Sequence, residues 1–355
     1  MIYEELQKRA LPPIAPAEIL TENRVEKWEM YRQSLIARLE ECCYGRPYTL
    51  HCEVSSNVLS VSPMALGGKA TERKVKLTIN GENGEKAAFV ITELLPHSEK
   101  PVPVFLWPQF EKSLDEGYKP IEEIIDSGFG IVSCFYQTIA MDSVQNDFGI
   151  FSTTRENTWG KISKWAFGLS RIMDYIETVE DINSNRVALL GMSRLGKAVL
   201  WTAVQDTRFS LYVPALSGTG GVSLYRGNEK ETVQQLVKNF PYWFCNDFAA
   251  QKYTATELPF DAHMLVALCA PRHLYICVGN QDEFVDYHNE FLACCAASGI
   301  YRLYRKEGIV TPDEWPALER PLQDGTIGFH VRRGTHFLSR YDWQQVINYR
   351  IKFSL

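Results

Sequence analysis

Three residues able to supply a nucleophile, an acid and a base occur in a telling order along this chain. Ser193 lies in RVALLGMSRLGKAVLW, where a β-branched and leucine run ends at Gly191 and a helical pattern begins directly after the serine. A serine on a sharp strand-to-helix turn exposes its hydroxyl at the carboxyl end of a sheet, and the next backbone N–H then points where an oxyanion would form. The usual spacing is G-x-S-x-G. Here Leu195 takes the second position after the serine and the glycine arrives at Gly196, so a serine that merely caps a helix also suits these residues. Asp282 stands just past the apolar run HLYICVGN, and His336 lies in RRGTHFL, before the last helical segment. Serine, acid, histidine is the chain order of α/β-hydrolase triads. His330 is a rival base, and an Asx turn or a surface-loop histidine accounts equally well for Asp282 or His336 taken singly.

The elements needed to position these residues are legible around them. VEKWEMYRQSLIARLEECCYG places Trp28, Tyr31, Leu35, Ile36 and Leu39 near helical spacing, and Gly45 and Pro47 stop it. KVKLTIN and KAAFVITELL, joined by NGENGE, read as a β-hairpin. PVPVFLWP and FGIVSCFY are short apolar runs of the kind that form buried parallel strands. From Trp159 onward helices and strands alternate: KWAFGLSRIMDYIETV, RVALLG, RLGKAVLWTAVQ, LYVPAL, DAHMLVALC, HLYICVG, NEFLACCAAS and DWQQVINYRI. That alternation predicts a mostly parallel sheet with helices on both faces. The expected organisation is one α/β-hydrolase domain over residues 1–355, with residues 1–66 as an N-terminal helical extension and no independent unit.

Composition narrows the function classes. With 45% hydrophobic and 23% charged residues, a net charge of −6 and no Lys/Arg block, the chain reads as a soluble globular protein without nucleic-acid binding. No apolar stretch is long enough to span a bilayer, so no membrane role is expected. MIYEELQKRALPPIAP shows no apolar signal-peptide core. The nine cysteines include no zinc-type pair and several sit in apolar runs, so they read as reduced thiols of a cytoplasmic protein.

The stretch G-M-S-R-L-G-K resembles the G-x-S-R-x-G-K signature of the glucuronoyl esterases, carbohydrate esterase family fifteen. WGKISKWAFGLSRIMDYIE, SGTGG, ETVQQLVKNFPYWF, LPFDAHMLVALCAPR and GTIGFHVRRGTHF carry the likeness from about Trp28 to Trp343, most specifically over 159–272. Members of that family are α/β-hydrolases that cleave the ester between 4-O-methylglucuronic acid on xylan and an alcohol of lignin. The resemblance implies Ser193 as nucleophile, His336 as base and Arg194 as an oxyanion-stabilising cation. It implies Lys197 and Glu231 as partners of sugar hydroxyls, and Arg226 as either a further binding residue or a salt-bridge partner. Many members keep the triad acid just before the SGxGG turn, where this chain has Leu216; Asp282 then serves, as a carboxylate at that alternative position does in some bacterial members. A tryptophan that contacts the uronate in many members falls on Phe284, which keeps the apolar wall and loses the indole donor. The expected activity is therefore cleavage of small or oligosaccharide uronate esters, with no metal or cofactor; the oligomeric state is left open. An acetyl esterase on the same triad and a non-catalytic carbohydrate-binding relic are the alternatives.

Overall fold

A computed structural model describes residues 2–21, 24–145, 149–151, 159–250 and 253–355. Its frame is a nine-stranded sheet: β1 (Cys52–Met64), β2 (Ala70–Gly81), β3 (Lys86–Pro96), β4 (Val102–Gln109), β5 (Gly130–Phe135), β6 (Ile182–Met192), β7 (Leu211–Ala215), β8 (His273–Gly279) and β9 (Ile327–Arg332). The spatial order is β1-β2-β3-β5-β4-β6-β7-β8-β9. The β1–β2, β2–β3 and β3–β5 pairs are antiparallel, and every pair from β5–β4 to β8–β9 is parallel. Helices cover both sides.

The two parts of the sheet follow from two side-chain patterns. In β2 the buried residues Val75, Leu77 and Ile79 alternate with Lys74, Lys76 and Thr78, as one face of a strand meets the core and the other does not. In β6 the run Val187–Leu190 is wholly buried, because helices lie against both faces of the parallel part. The helix Lys161–Ile176 and the helix Arg194–Gln205 pack together, and Trp201 Nε1 on the second donates to Ser163 Oγ on the first at 2.7 Å.

The sequence reading of residues 1–66 needs correcting. Helices occupy Ile2–Lys8, Ala17–Thr21 and Val25–Leu39, but the segment ends in β1, the edge strand of the main sheet. From Ser55 to Met64 every β1 residue is exposed. With neither face buried, no apolar alternation is required, so SSNVLSVSPM carries no periodic signal. The strand β9 was also absent from the expected elements, although all its residues are buried. The early segment is nevertheless integral to the core. Tyr44 stacks on Trp201 with ring centroids 4.2 Å apart, and its hydroxyl donates to Gly220 O at 3.0 Å. Arg32 donates to Val204 O at 2.8 Å and to Leu268 O at 3.1 Å, tying together the carboxyl ends of two helices.

Candidate active site

Ser193 sits between β6 and the helix Arg194–Gln205 with φ 59° and ψ −127°, a backbone region that L-residues rarely occupy. It takes the N-cap position, yet its side chain makes no capping hydrogen bond. Two glycines permit the turn. A Cβ on Gly191 would lie 2.7 Å from Leu195 O, and one on Gly196 would lie 2.8 Å from Ala215 O. The backbone therefore needs glycine at 191 and 196, which accounts for a spacing one residue longer than G-x-S-x-G.

Asp282 and His336 come from the ends of β8 and β9, separated from β6 by β7. Beyond β8, Asp282 is almost wholly buried, and beyond β9 the loop 333–339 carries the half-buried His336. Asn280 N donates to Arg332 O and Gln281 N donates to Gly334 O, each at 2.9 Å, which knits the two loops together. His336 Nδ1 lies 2.7 Å from Asp282 Oδ2, so this ring N–H donates to the carboxylate. Asp282 Oδ1 accepts the N–H groups of Phe284 at 2.8 Å and Val285 at 3.0 Å. Burial by itself would raise the Asp282 carboxyl; the hydrogen bond and charge of His336, with those two N–H groups, outweigh it and hold the group below the ordinary carboxylate range. Glu283 is exposed and Asp282 buried, so the carboxylate that meets the imidazole is Asp282. The rival His330 is fully buried, bonded to Asp342 Oδ1 at 2.8 Å and to the Tyr275 hydroxyl at 2.9 Å, and has no path to an external ester.

A polar brace holds the histidine loop. Arg332 Nε donates to Asp342 Oδ2 at 2.6 Å, while its Nη atoms donate to the carbonyls of Arg333, Thr335 and Phe337, on both sides of His336.

Arg194, next to Ser193, is partly exposed. Its Nη1 donates to Asp142 Oδ2, and its guanidinium lies 4.9 Å from the ring centroid of Trp243, 5.7 Å from Phe240 and 5.8 Å from Phe110. Arg194 Nε is buried with no hydrogen-bond partner among the described residues. Asp142 in turn accepts from Tyr136 at 2.7 Å and from Trp243 Nε1 at 2.8 Å. Burial opposes the Asp142 charge, but these donors and the guanidinium keep its carboxyl below the usual range. Asp142 was not among the sequence candidates. The signal available for it was its position, a few residues past the apolar run FGIVSCFY, where a loop leaves the carboxyl end of a parallel strand.

The remaining candidates divide. Lys197 is buried, with its ammonium donating to Ser217 O at 2.8 Å, Thr219 O at 2.7 Å and Glu231 Oε2 at 3.1 Å. All three of its protons are engaged, so Glu231 is the member of the pair with acceptor capacity to spare. Arg226 forms a buried ion pair with Asp261 at 3.1 Å and donates to the carbonyls of Thr256, Leu258 and Phe260. Of the two roles considered for Arg226, its contacts are those of a salt-bridge partner. Phe284 is 56% exposed, with its ring edge-to-face against His336 at 5.4 Å. Leu216 is fully buried, with φ 45°. Beside it lies another residue that sequence reasoning missed: Glu290 Oε1 accepts from Gly218 N at 2.8 Å and Ser217 Oγ at 3.1 Å, and burial pushes its carboxyl up to about 8. Among the described residues, no group of three or more His, Cys, Asp or Glu is placed to hold a metal ion.

A serine on a strained turn after β6, an acid after β8 and a histidine after β9, on a mixed sheet covered on both sides, define an α/β-hydrolase. A family model for fungal glucuronyl esterases matches residues 68–304. A carbohydrate esterase, MZ0003, from an unknown prokaryotic organism is 32% identical over 98% of this chain and 90% of its own length. A glucuronoyl esterase from Solibacter usitatus superposes with a TM-score of 0.82 at 30% identity, covering 96% of this chain and 97% of that one. A promiscuous CE15 esterase from a marine bacterial metagenome gives a TM-score of 0.82 at 32% identity over 92% of each chain. The chain belongs to the glucuronoyl esterase family, carbohydrate esterase family fifteen, and is a carboxylic ester hydrolase.

Proposed function

We propose that Ser193, His336 and Asp282 form a catalytic triad that hydrolyses uronic-acid esters through an acyl-enzyme. The observation that carries this reading is the 2.7 Å contact between His336 Nδ1 and the buried Asp282 carboxylate, on loops that follow β8 and β9 of the sheet whose strand β6 ends at the Ser193 turn. Asp282 fixes the imidazole tautomer, leaving Nε2 to take the Ser193 proton. The alkoxide attacks the ester carbonyl. The Arg194 backbone N–H, at the positive end of its helix, and the Arg194 guanidinium meet the negative charge that develops on oxygen. His336 returns the proton to the departing alcohol. A water activated by His336 then cleaves the acyl-enzyme, releasing the uronate and restoring Ser193. Glu231, steadied by Lys197, accepts a sugar hydroxyl, and Phe284 supplies an apolar wall beside His336. Every charge and proton in this scheme comes from side chains, backbone and water, so no metal or cofactor is assigned.

The substrate class is a small or oligosaccharide uronate ester, with no nucleic acid or membrane partner. Among the described residues no helix is long and apolar enough to cross a membrane. All nine cysteines are free thiols, which supports a reducing, cytoplasmic setting. A second reading, deacetylation of sugars on the same triad, draws support from Phe284, which offers no N–H donor to a uronate. Turnover of methyl glucuronate and of acetylated xylo-oligosaccharides by the wild-type chain, with Ser193→Ala as control, separates the two. Serine-dependent release of methanol supports the first reading, and release of acetate alone moves the assignment to the second. Failure on both, with no fluorophosphonate labelling of Ser193, leaves the carbohydrate-binding alternative.

A further inference from the structure

Hydrolysis of any carboxylic ester at Ser193 ends in an anion. The carbonyl that first needs an oxyanion donor becomes a carboxylate bearing a full charge, at the same place. An unpaired arginine beside it is a strong trap, because a guanidinium grips a carboxylate through two parallel N–H bonds. Such a residue would serve the transition state and then retain the product.

Arg194 is not unpaired. Asp142 occupies its Nη1, and Asp142 is itself pinned by Tyr136 at 2.7 Å and Trp243 Nε1 at 2.8 Å, with only 3% of its side chain exposed. Trp243 lies 4.9 Å from the guanidinium and Phe240 5.7 Å, while Trp243 and Phe240 stack on each other at 3.9 Å. The cation therefore sits in an aromatic and carboxylate cage. Its fork is partly filled, its net local charge is cancelled, and Nε remains without a partner among the described residues.

We infer that Asp142 is a positioning counter-charge: it holds Arg194 where the oxyanion develops and keeps it from capturing the carboxylate product. A single N–H donor is enough for an oxyanion, whereas firm retention of a carboxylate needs the free fork and the uncompensated charge. The inference rests on ester hydrolysis at Ser193, but not on which acid is released.

Calorimetric titration with sodium glucuronate tests it without requiring turnover. Asp142→Asn keeps the shape and removes the charge. The expected result is glucuronate binding at least about fivefold tighter than in wild type, the factor one unit charge supplies at about 4 Å in water. Turnover should fall while KM for the ester changes little, since the oxyanion donor is less firmly aimed. Asp142→Glu should restore wild-type glucuronate affinity. In an Arg194→Ala background Asp142→Asn should have no effect on affinity. If Asp142→Asn does not fold, as read by thermal unfolding, Asp142→Ala carries the same expectation. Equal or weaker glucuronate affinity, no measurable binding in either protein, or tightening that persists without Arg194 would each overturn the inference. The wider reading fails separately, if the wild-type chain does not turn over methyl glucuronate.

Discussion

Ser193 shows at the scale of one residue how position and chemistry are separated. Its backbone, at φ 59° and ψ −127°, is one that glycine adopts at little cost and other residues under strain. Ser193→Ala is expected to retain under ~1% of wild-type activity, as losses of triad members usually do. Ser193→Gly should be equally inactive yet more stable than Ser193→Ala by about 1 kcal/mol, seen as a higher denaturation midpoint. Equal stability of the two would show that the turn is not strained. The acid is tested by a pair of neighbours. Asp282→Asn should cut turnover by about 10²–10⁴, while Glu283→Gln, exposed and turned away, should leave it nearly unchanged. Because the folded Asp282 carboxyl lies below its ordinary value, its contribution to stability is present above the unfolded pKa and lost only as pH falls through the lowered folded one.

Elements decide what such residues can reach. The turn Ser217–Gly221 hangs on Glu290, from the helix Tyr287–Leu303. Burial raises the Glu290 carboxyl to about 8, so the folded state favours its protonated form; that contribution is fully present below the unfolded pKa and disappears as pH rises toward about 8. Glu290→Gln keeps the accepting oxygen and removes the charge. It should match wild type in thermal stability at pH 5 and exceed it at pH 9; parallel curves at both pH values would refute the assignment. Legibility differed between elements for physical reasons. The parallel strands β4 to β8 could be read as short continuous apolar runs and the hairpin by its alternation, whereas β9, IGFHVR, breaks its apolar run with His330 and Arg332. Ser193 and Asp282 stood out as candidates because they follow apolar runs that read as strands, and His336 because it lies in a glycine-containing loop before the last helix. The edge strand β1 had no buried face to leave a mark. Glu290 belongs to no local pattern and acts on residues distant in sequence, and Asp142 offered only its position past the run FGIVSCFY, with nothing local to pair it with Arg194. The contacts of Arg226 and Lys197, which turn two candidate binding residues inward, likewise arise only once distant carbonyls converge.

On the scale of the whole molecule, the first fifty residues pack into the frame that carries the candidate site. Arg32, largely buried, closes the carboxyl ends of the helices Arg194–Gln205 and Ala262–Leu268. Arg32→Met keeps the apolar stem but removes the donor to Val204 O, while Leu268 O keeps its bond from Arg272. It should lower stability by about 2 kcal/mol, within the range for hydrogen bonds from a charged donor, as a shift in urea midpoint with unchanged slope. Tyr44 reaches further, linking this segment to Gly220 and so to the turn that carries the neighbours of Glu231. At the opposite edge of the molecule, β1 bears on how molecules behave in crowded solution. Residues 54–68 carry no charged side chain, although the chain as a whole has a net charge of −6. Coulomb repulsion between approaching molecules is therefore weakest where an open row of backbone donors and acceptors is also on offer, interrupted only by Pro63 and the register shift between Val58 and Ser60. The colloidal limit of this protein should thus be set along β1. Leu59→Glu, which adds a charge of the molecule's own net sign, is expected to raise the osmotic second virial coefficient measured by light scattering at low salt, while leaving turnover untouched.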